Sequence, residues 1–540
     1  MLTLTGTRMS DGISFGTLHY LKNKPPVIEG RKISDIEKEV ARFEAAHETA
    51  CLQLDQLYIE TKEALGEENA AIFDIHKLML EDSDYMESIT NIIREQGVNA
   101  EYAVAMTATR FSEIFSSMDD DYMKERAIDV KDISERLQKA LNPGAYKAVE
   151  ISAPAIIIAD DITPGEIVGF EKGIVLGMAT VKGGANSHTA ILSRSRAIPA
   201  AFGMEWIGAE LDGQYAILDG SSGRLYIDPD AATEKAMRAK ADALRQKREE
   251  LNKLKGLPSM TTKGRKINLY ANINHSSDID EAVKNDAEGI GLFRSEFLYL
   301  DRKSEPSEEE QFSAYKKAAA SMGGKKTIIR TLDIGADKQV DYLNLANTDE
   351  ENPAMGLRGV RFCLARPEIF KTQLRALYRA SAFGNIAIMV PMIISVHEVE
   401  EVLTIIEGVK ADLRQEKIAF ADTVEFGLMI ETTAAVMISA ELAGMVDFFS
   451  IGTNDLTQYA LAADRQNSSI SPLYDARHPA VMKMIEISVK SAKDAGIWVG
   501  ICGEMAADLE LTEKFINIGV DELSVSPEMI LPLREKVMSC

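Results

Sequence analysis

Between residues 267 and 527 an apolar run of strand length is followed by helix-forming sequence, eight times over. The runs are INLYANI (267–273), GIGLFRSE (289–296), TIIRTLDIG (327–335), NIAIMVPMI (385–393), EFGLMIETT (425–433), DFFSIGTND (447–455), WVGICGE (498–504) and ELSVSP (522–527). Strands covered on both faces read as continuous apolar segments, and parallel neighbours need a helical crossover between them. Eight such units predict a TIM (β/α)8 barrel over 260–540 more strongly than an open sheet.

The rest of the chain has two other textures. From Ile33 to about Leu141, Glu, Lys, Ala and Leu dominate, with apolar residues at helical spacing and almost no Pro or Gly. This predicts a helical bundle over 31–144. On either side, GISFGTLHYL, APAIIIADD, GIVLGMATV and QYAILDGSSGRLYI are short runs bounded by Gly, Asp and Pro, which read as strands. The simplest account is one α/β domain, residues 1–30 plus 145–228, with the bundle inserted in it. Residues 229–259 follow as a polar helix whose apolar face is too narrow for a core, a solvated linker. The whole is a multidomain α/β chain, as 540 residues require.

Lys and Arg number 60 against 84 Asp and Glu, a net charge of −24, which disfavours a nucleic-acid partner. Cys51, Cys363, Cys502 and Cys540 lack CxxC spacing, so neither a disulfide framework nor a structural zinc site is expected. With no leader-like N-terminus and no apolar run long enough to span a bilayer, a cytoplasmic location is expected.

In a barrel of this kind the chemistry lies at the C-terminal ends of the strands. Those ends carry Arg294, Glu296, Arg330, Asp333, Glu431, Asn454, Asp455, Cys502 and Glu504, with Arg358, Arg361 and Arg465 in the loops beyond. Arginines converging on one mouth of an acidic protein imply an anionic ligand, and the guanidinium fork suits phosphate and carboxylate together. Glu431 and Asp455 suit a hard divalent cation such as Mg²⁺, which takes one or two carboxylates and completes its shell with substrate oxygens. A strand cysteine is ordinarily a small core residue. At this mouth Cys502 is a candidate acid.

The second centre is GGANSHTAILSRSRAIPA, residues 183–200. A glycine turn leads through His188 into a helix start, which offers free N–H groups to an anion. An imidazole there can carry a phosphoryl group.

The segments GGANSHTAILSRS and DFFSIGTNDLTQYALAADR resemble signatures of PEP-utilising enzymes. The domain order resembles Enzyme I of the phosphoenolpyruvate:sugar phosphotransferase system, and the likeness continues through LEDSDYM, ADDITPGE, GIGLFRSEFLY, RTLDIGADK, NPAMGLRGVR, LYDARHPAV and GICGEMA. The resemblance implies that His188 accepts the phosphoryl group and that Arg294, Arg330, Arg358, Asn454, Asp455 and Arg465 hold phosphoenolpyruvate. It implies that Glu431 and Asp455 ligate Mg²⁺ and that Cys502 protonates the enolate to give pyruvate. It further implies that the helical insert docks the phosphocarrier HPr, with Glu67, Glu68, Glu81, Asp82 and Asp84 beside Ala71-Ile72-Phe73 and Leu78-Met79-Leu80, and that the chain dimerises through its barrel. A dikinase or phosphoenolpyruvate synthase would need a nucleotide-binding domain for which the chain has no room. A non-catalytic regulatory paralogue is the other alternative. The terminal LPLREKVMSC supplies only part of a helix to close the barrel.

Overall fold

The computed structural model describes the chain apart from residues 22–27, 66, 117–120, 145–150, 152, 172, 185–187, 197, 277, 301, 303, 336–340, 344–351, 466 and 468. It divides into two compact units, residues 1–246 and 247–540.

The first unit opens with strands β1 (Leu2–Thr5), β2 (Thr7–Ser10) and β3 (Ile13–Tyr20). Five helices follow: α1 (Ile36–Leu65), α2 (Glu67–Leu80), α3 (Ser83–Gln96), α4 (Ala100–Ser116) and α5 (Asp121–Leu141). Their inward faces supply Phe43, Leu54, Phe73, Tyr85, Ile89, Val104 and Ile133 to one core. The chain then returns to the sheet through β4 (Ala155–Ala159), helix α6 (Pro164–Gly169), β5 (Val175–Thr180), helix α7 (His188–Ser195), β6 (Ala200–Phe202), β7 (Tyr215–Asp219) and β8 (Arg224–Ile227). The sheet order is β1-β8-β7-β3-β4-β5-β6-β2. Strand β3 pairs in parallel with β4, so the five helices form an excursion between sheet neighbours. The next helix, α8 (Ala231–Asn252), buries none of its residues, as its composition predicts.

In the second unit, β9 (Asn268–Ile273), β10 (Ile290–Arg294), β11 (Thr327–Arg330), β12 (Ile386–Val390), β13 (Glu425–Ile430), β14 (Phe448–Ile451), β15 (Trp498–Ile501) and β16 (Glu522–Val525) close into a parallel barrel. The seam between β16 and β9 carries four register pairs, from Glu522 with Asn268 to Val525 with Ala271. Alternate residues split between two cores. Leu269, Phe293, Ile329, Ile388, Leu428, Phe449, Ile501 and Leu523 face the helices. Tyr270, Leu292, Ile328, Met389, Met429, Phe448 and Cys502 line the lumen. At the N-terminal end of the barrel Lys326 bonds both carboxylate oxygens of Glu425 at 2.7 Å, and the Trp498 indole N–H donates to the same carboxylate at 2.9 Å.

The C-terminal segment closes more of the barrel than its length suggests. The helix Ile530–Ser539 buries Ile530, Leu531, Leu533, Arg534 and Val537. The fully buried Arg534 donates to the Ser259 hydroxyl, the Leu254 and Asp286 carbonyls and the Asp286 carboxylate. The last carbonyl, that of Cys540, accepts from the Thr262 backbone at 2.8 Å.

Candidate active site at the barrel mouth

The strands end sooner than their apolar runs suggest. Strand β11 stops at Arg330 and β13 at Ile430. The polar residues beyond are the mouth itself, where side chains turn inward rather than continue the ladder.

Arg330 and Arg358 form its buried floor. The Asp333 carboxylate accepts from Arg358 through both oxygens, Nε at 3.1 Å and Nη2 at 2.9 Å, and pairs with Arg330 Nη1 at 2.9 Å. Glu296 takes the other branch of Arg330. Burial opposes the charge on both arginines, yet the carboxylates outweigh it and hold them firmly protonated. Arg294 ends β10 and donates to the Asn274 side chain at 3.1 Å. Burial lowers its basicity, with the like charges of Arg330 and Arg465 adding to the effect. Arg465 is more exposed and lies 3.7 Å from Asp455 Oδ1. Arg361 is not part of this group: its guanidinium holds the Met355 and Gly356 carbonyls.

Glu431, 1% exposed, follows β13 and accepts the Met392 backbone N–H at 2.8 Å. Met392 has φ +62°, a strained angle for a side-chain-bearing residue that aims this N–H at the carboxylate. Gly452 leaves the room Glu431 needs, since a Cβ there would sit 2.8 Å from Oε2 and 3.0 Å from the glutamate Cβ. Burial, then Asp455 and Asp333, push the Glu431 carboxyl up to about 8. Asp455 lies in the first turn of the helix Thr453–Leu461, and its Oδ1 is buried without a hydrogen-bond partner among the described residues. A crowded carboxylate beside an orphaned carboxylate oxygen fits a divalent cation. Among the described residues no group of three or more His, Cys, Asp or Glu is arranged for a metal.

Asn454 lies on the same helix and ties it to the loop after β15. It donates to Glu504 at 3.2 Å and accepts the Glu504 backbone N–H at 2.9 Å. Cys502, one residue past β15, is 4% exposed. Its N–H donates to the Ile451 carbonyl at 3.1 Å, and its own carbonyl accepts from Asn272 at 3.2 Å. Burial pushes its thiol up to about 12, against the Ser450 hydroxyl, which favours the thiolate. Such a sulfur keeps its proton at neutral pH.

His188 is the first residue of α7, and its side chain and residues 185–187 lie outside the described residues. Around it, the Thr189 hydroxyl donates to the Ile162 carbonyl at 2.9 Å and Arg194 donates to the Met9 carbonyl at 3.3 Å. Thr189 thus ties α7 to the segment after β4, and Arg194 ties it to β2. In the helical insert the side chains of Glu67, Glu68 and Ala71 also lie outside the described residues. Ile72, Phe73 and Leu80 are core residues rather than a surface stretch, while Leu78 is 62% exposed. Asp82 caps α3 through the Asp84 and Tyr85 amides. No helix among the described residues is long and apolar enough to cross a membrane.

Sequence reasoning picked out the strand-end acids but not their partners: Asp333 and Glu296 clamp arginines closely, Asp455 faces Arg358 at 3.4 Å and Arg465 at 3.7 Å, and Glu431 accepts a backbone N–H instead. It missed Asn272, Asn274 and Ser450 altogether. Their signal was a polar residue at an inward position of an apolar strand.

Arginines, carboxylates and a buried thiol gather at one barrel mouth, and the chain matches the models of PEP-utilising enzymes. Residues 248–540 match the PEP-binding domain of that family, residues 5–126 its N-terminal domain and residues 151–223 its mobile domain. The phosphoenolpyruvate-protein phosphotransferase of Haemophilus influenzae is 43% identical over 528 residues, covering 97% of this chain and 91% of that protein. That of Bacillus subtilis is 40% identical, covering 99% and 94%. A solution structure of an Enzyme I fragment, 30% identical, covers 45% of this chain and 99% of its own, with a TM-score of 0.38. The chain belongs to the phosphoenolpyruvate-protein phosphotransferase family. It is an enzyme, and its activity is phosphoryl transfer from phosphoenolpyruvate to protein.

Proposed function

We propose that the chain transfers the phosphoryl group of phosphoenolpyruvate to its own His188 and then to a histidine of HPr, releasing pyruvate, as the first step of sugar uptake by the phosphotransferase system. The observation that carries this reading is the convergence of Arg294, Arg330, Arg358 and Arg465 with Glu431, Asp455 and Cys502 on one barrel end. The arginines bind the phosphate and carboxylate of the substrate, and Asn454 adds an amide to the phosphate. Phosphoryl transfer asks little covalent work of a protein beyond alignment and neutralisation of charge, and guanidiniums already locked by Asp333 and Glu296 provide both without rearrangement.

Glu431 and Asp455 would hold Mg²⁺, which when bound supplies positive charge to the phosphoryl oxygens. Departure of the phosphoryl group leaves an enolate, which becomes a ketone once its terminal carbon gains a proton. Cys502 retains a proton at neutral pH and gives it to that carbon. The low exposure of the site keeps water from competing as the acid.

The acidic end of the insert, with Glu81, Asp82 and Asp84 near the exposed Leu78, supports docking of a basic face of HPr. The resemblance to Enzyme I supports a homodimer through the C-terminal barrel. Four unpaired cysteines fit a reducing cytoplasm. The direct test is intact-mass measurement after adding phosphoenolpyruvate and Mg²⁺. One acid-labile phosphoryl group is expected on the wild type and none on His188→Ala. A phosphoryl group on the variant would refute the assignment.

A further inference from the structure

The arginines of the mouth are not all held alike. Arg330 pairs with Glu296 and Asp333, Arg358 with Asp333 and Asp455, and Arg465 faces Asp455 at 3.7 Å. Among the described residues Arg294 makes no ion pair, and its guanidinium donates to a single acceptor, the Asn274 side chain, at 3.1 Å. A guanidinium only donates, so the amide oxygen and not its NH2 group faces the arginine. Carboxylates hold the other three guanidiniums, and a neutral group holds this one.

Register puts the two residues side by side. Strands β9 and β10 pair Leu292 with Asn272 and Phe293 with Ile273, so Asn274 meets Arg294 one step past the last pair. The loop that carries Asn274 is fixed independently. One Asp278 oxygen accepts the backbone N–H of Asn274 at 2.8 Å and that of His275 at 3.1 Å. The His275 ring packs against Phe297, 4.8 Å between centroids, in the turn Ser295–Leu298 that follows Arg294. Backbone and ring contacts secure the loop, and the Asn274 side chain serves the guanidinium.

The choice of an amide has an electrostatic consequence. A carboxylate at this place would grip the guanidinium fork and cancel its charge, whereas an amide oxygen takes one N–H and cancels nothing. On the other flank, register sets Arg294 beside Arg330, a like charge. Burial first, and Arg330 after it, lower the basicity of Arg294. A desolvated cation without an ion-pair partner is costly to a fold, and an arriving anion removes that cost.

We propose that Asn274 is a positioning residue for Arg294: its amide oxygen aims the guanidinium at the mouth and leaves the positive charge whole for the anionic substrate. This rests on the reading of Arg294 as a residue that binds phosphoenolpyruvate. Arg330 and Arg358 are clamped by acids and meet the substrate with much of their charge already answered. Arg294 meets it with one donor spent and the rest of its fork open. The neutral holder therefore sets how strongly the mouth attracts an anion, and the acids set how the other guanidiniums are aligned.

The test is the KM for phosphoenolpyruvate, read from pyruvate formation by the full chain with Mg²⁺ and HPr. Asn274→Asp keeps the size and the accepting oxygen but gives Arg294 a counter-ion of its own. It should raise KM about 10–100-fold, the worth of one charge-assisted contact, with the loss falling on KM more than on kcat. Asn274→Ala leaves the charge and loses only its aim, so KM should rise less, about 3–10-fold. Without substrate, Asn274→Asp should melt no lower than Asn274→Ala, because its arginine still has a partner. A wild-type KM for Asn274→Asp would overturn the inference, since a residue that merely holds the arginine is replaced by a carboxylate at no loss. A KM for Asn274→Ala as high as that for Asn274→Asp would overturn it too, because geometry rather than charge would then decide. Melting of Asn274→Asp below Asn274→Ala would mark a damaged barrel and count against it in the same way. A wild-type KM for Arg294→Met would instead sink the assignment of Arg294 to the substrate, on which the inference rests.

Discussion

Asp333→Asn removes one negative charge from the centre of the arginine floor and leaves the shape unchanged. Asp333 is 3% exposed and makes three bonds of 2.9–3.1 Å to two guanidiniums. Breaking a buried pair by removing one partner costs about 3–5 kcal/mol, because an uncompensated charge stays behind. Here Glu296 still faces Arg330 and Asp455 still lies 3.4 Å from Arg358, so the lower end, about 3 kcal/mol, applies. At about 2–4 °C per kcal/mol for a large domain, the barrel transition should fall by roughly 6–12 °C. The assay is calorimetry of the full chain, in which the barrel transition is the one that phosphoenolpyruvate raises. The substrate brings its own negative charge to the same guanidiniums. Saturating phosphoenolpyruvate should therefore raise the variant's transition by more than the wild type's. A fall under about 2 °C, or equal substrate shifts in the two proteins, would refute the view that Asp333 stands in for substrate charge.

Three further outcomes follow from single features. Arg534→Met, which takes the donor from the Leu254 and Asp286 carbonyls and leaves the Asp286 carboxylate with the Gly256 N–H, should destabilise the barrel by about 3 kcal/mol in thermal unfolding, with the first unit's transition unmoved. Gly452→Ala forces Glu431 aside and should raise the Mg²⁺ concentration needed for half-maximal rate by about 10–100-fold, read from a Mg²⁺ titration at fixed phosphoenolpyruvate. Alkylation of Cys502, followed by peptide mass in a Cys540→Ser background, should speed up about tenfold per pH unit from 7 to 10 without levelling, because the thiol, pushed up to about 12 by burial, is far from half-ionised. A plateau near pH 8.5 would show an ordinary thiol.

The barrel was legible because its strands are buried on both sides, so each reads as an unbroken apolar run such as NIAIMVPMI, where β12 covers Ile386–Val390. The same runs overshoot their strands at the C-terminal end, where TIIRTLDIG contributes only Thr327–Arg330 to the ladder. The overshoot is informative: residues such as Asp333 are conformationally free of the sheet and serve the mouth. What sequence could not supply was pairing. Arg358 and Arg361 are three apart in one motif, yet one reaches Asp333 and the other holds its own loop. Nor could it separate surface from core at Ile72 and Phe73, since helical spacing fixes a face but not what covers it.

Charge arithmetic at the mouth explains why arginines alone would not suffice. Arg294, Arg330, Arg358 and Arg465 are faced by Glu296, Asp333, Glu431 and Asp455, but the Glu431 carboxyl, pushed up to about 8, keeps its proton at neutral pH. Four guanidiniums against three carboxylate charges leave the resting mouth with little net charge, which is what burial demands. Phosphoenolpyruvate adds roughly −1.5 to −2 from its phosphate, by analogy with a phosphorylated side chain, and one further charge from its carboxylate. A poorly solvated pocket with so little net charge cannot take that on without a compensating cation. A divalent ion held by Glu431 and Asp455, as proposed, would supply two positive charges, and the Glu431 carboxyl, pushed up to about 8, would give up its proton to hold it. Arg330 and Arg358 remain clamped by Glu296 and Asp333 throughout, so their geometry does not depend on occupancy. Glu296 and Asp333 thus set the alignment of the guanidiniums, and a metal held by Glu431 and Asp455 would make substrate binding conditional on its presence.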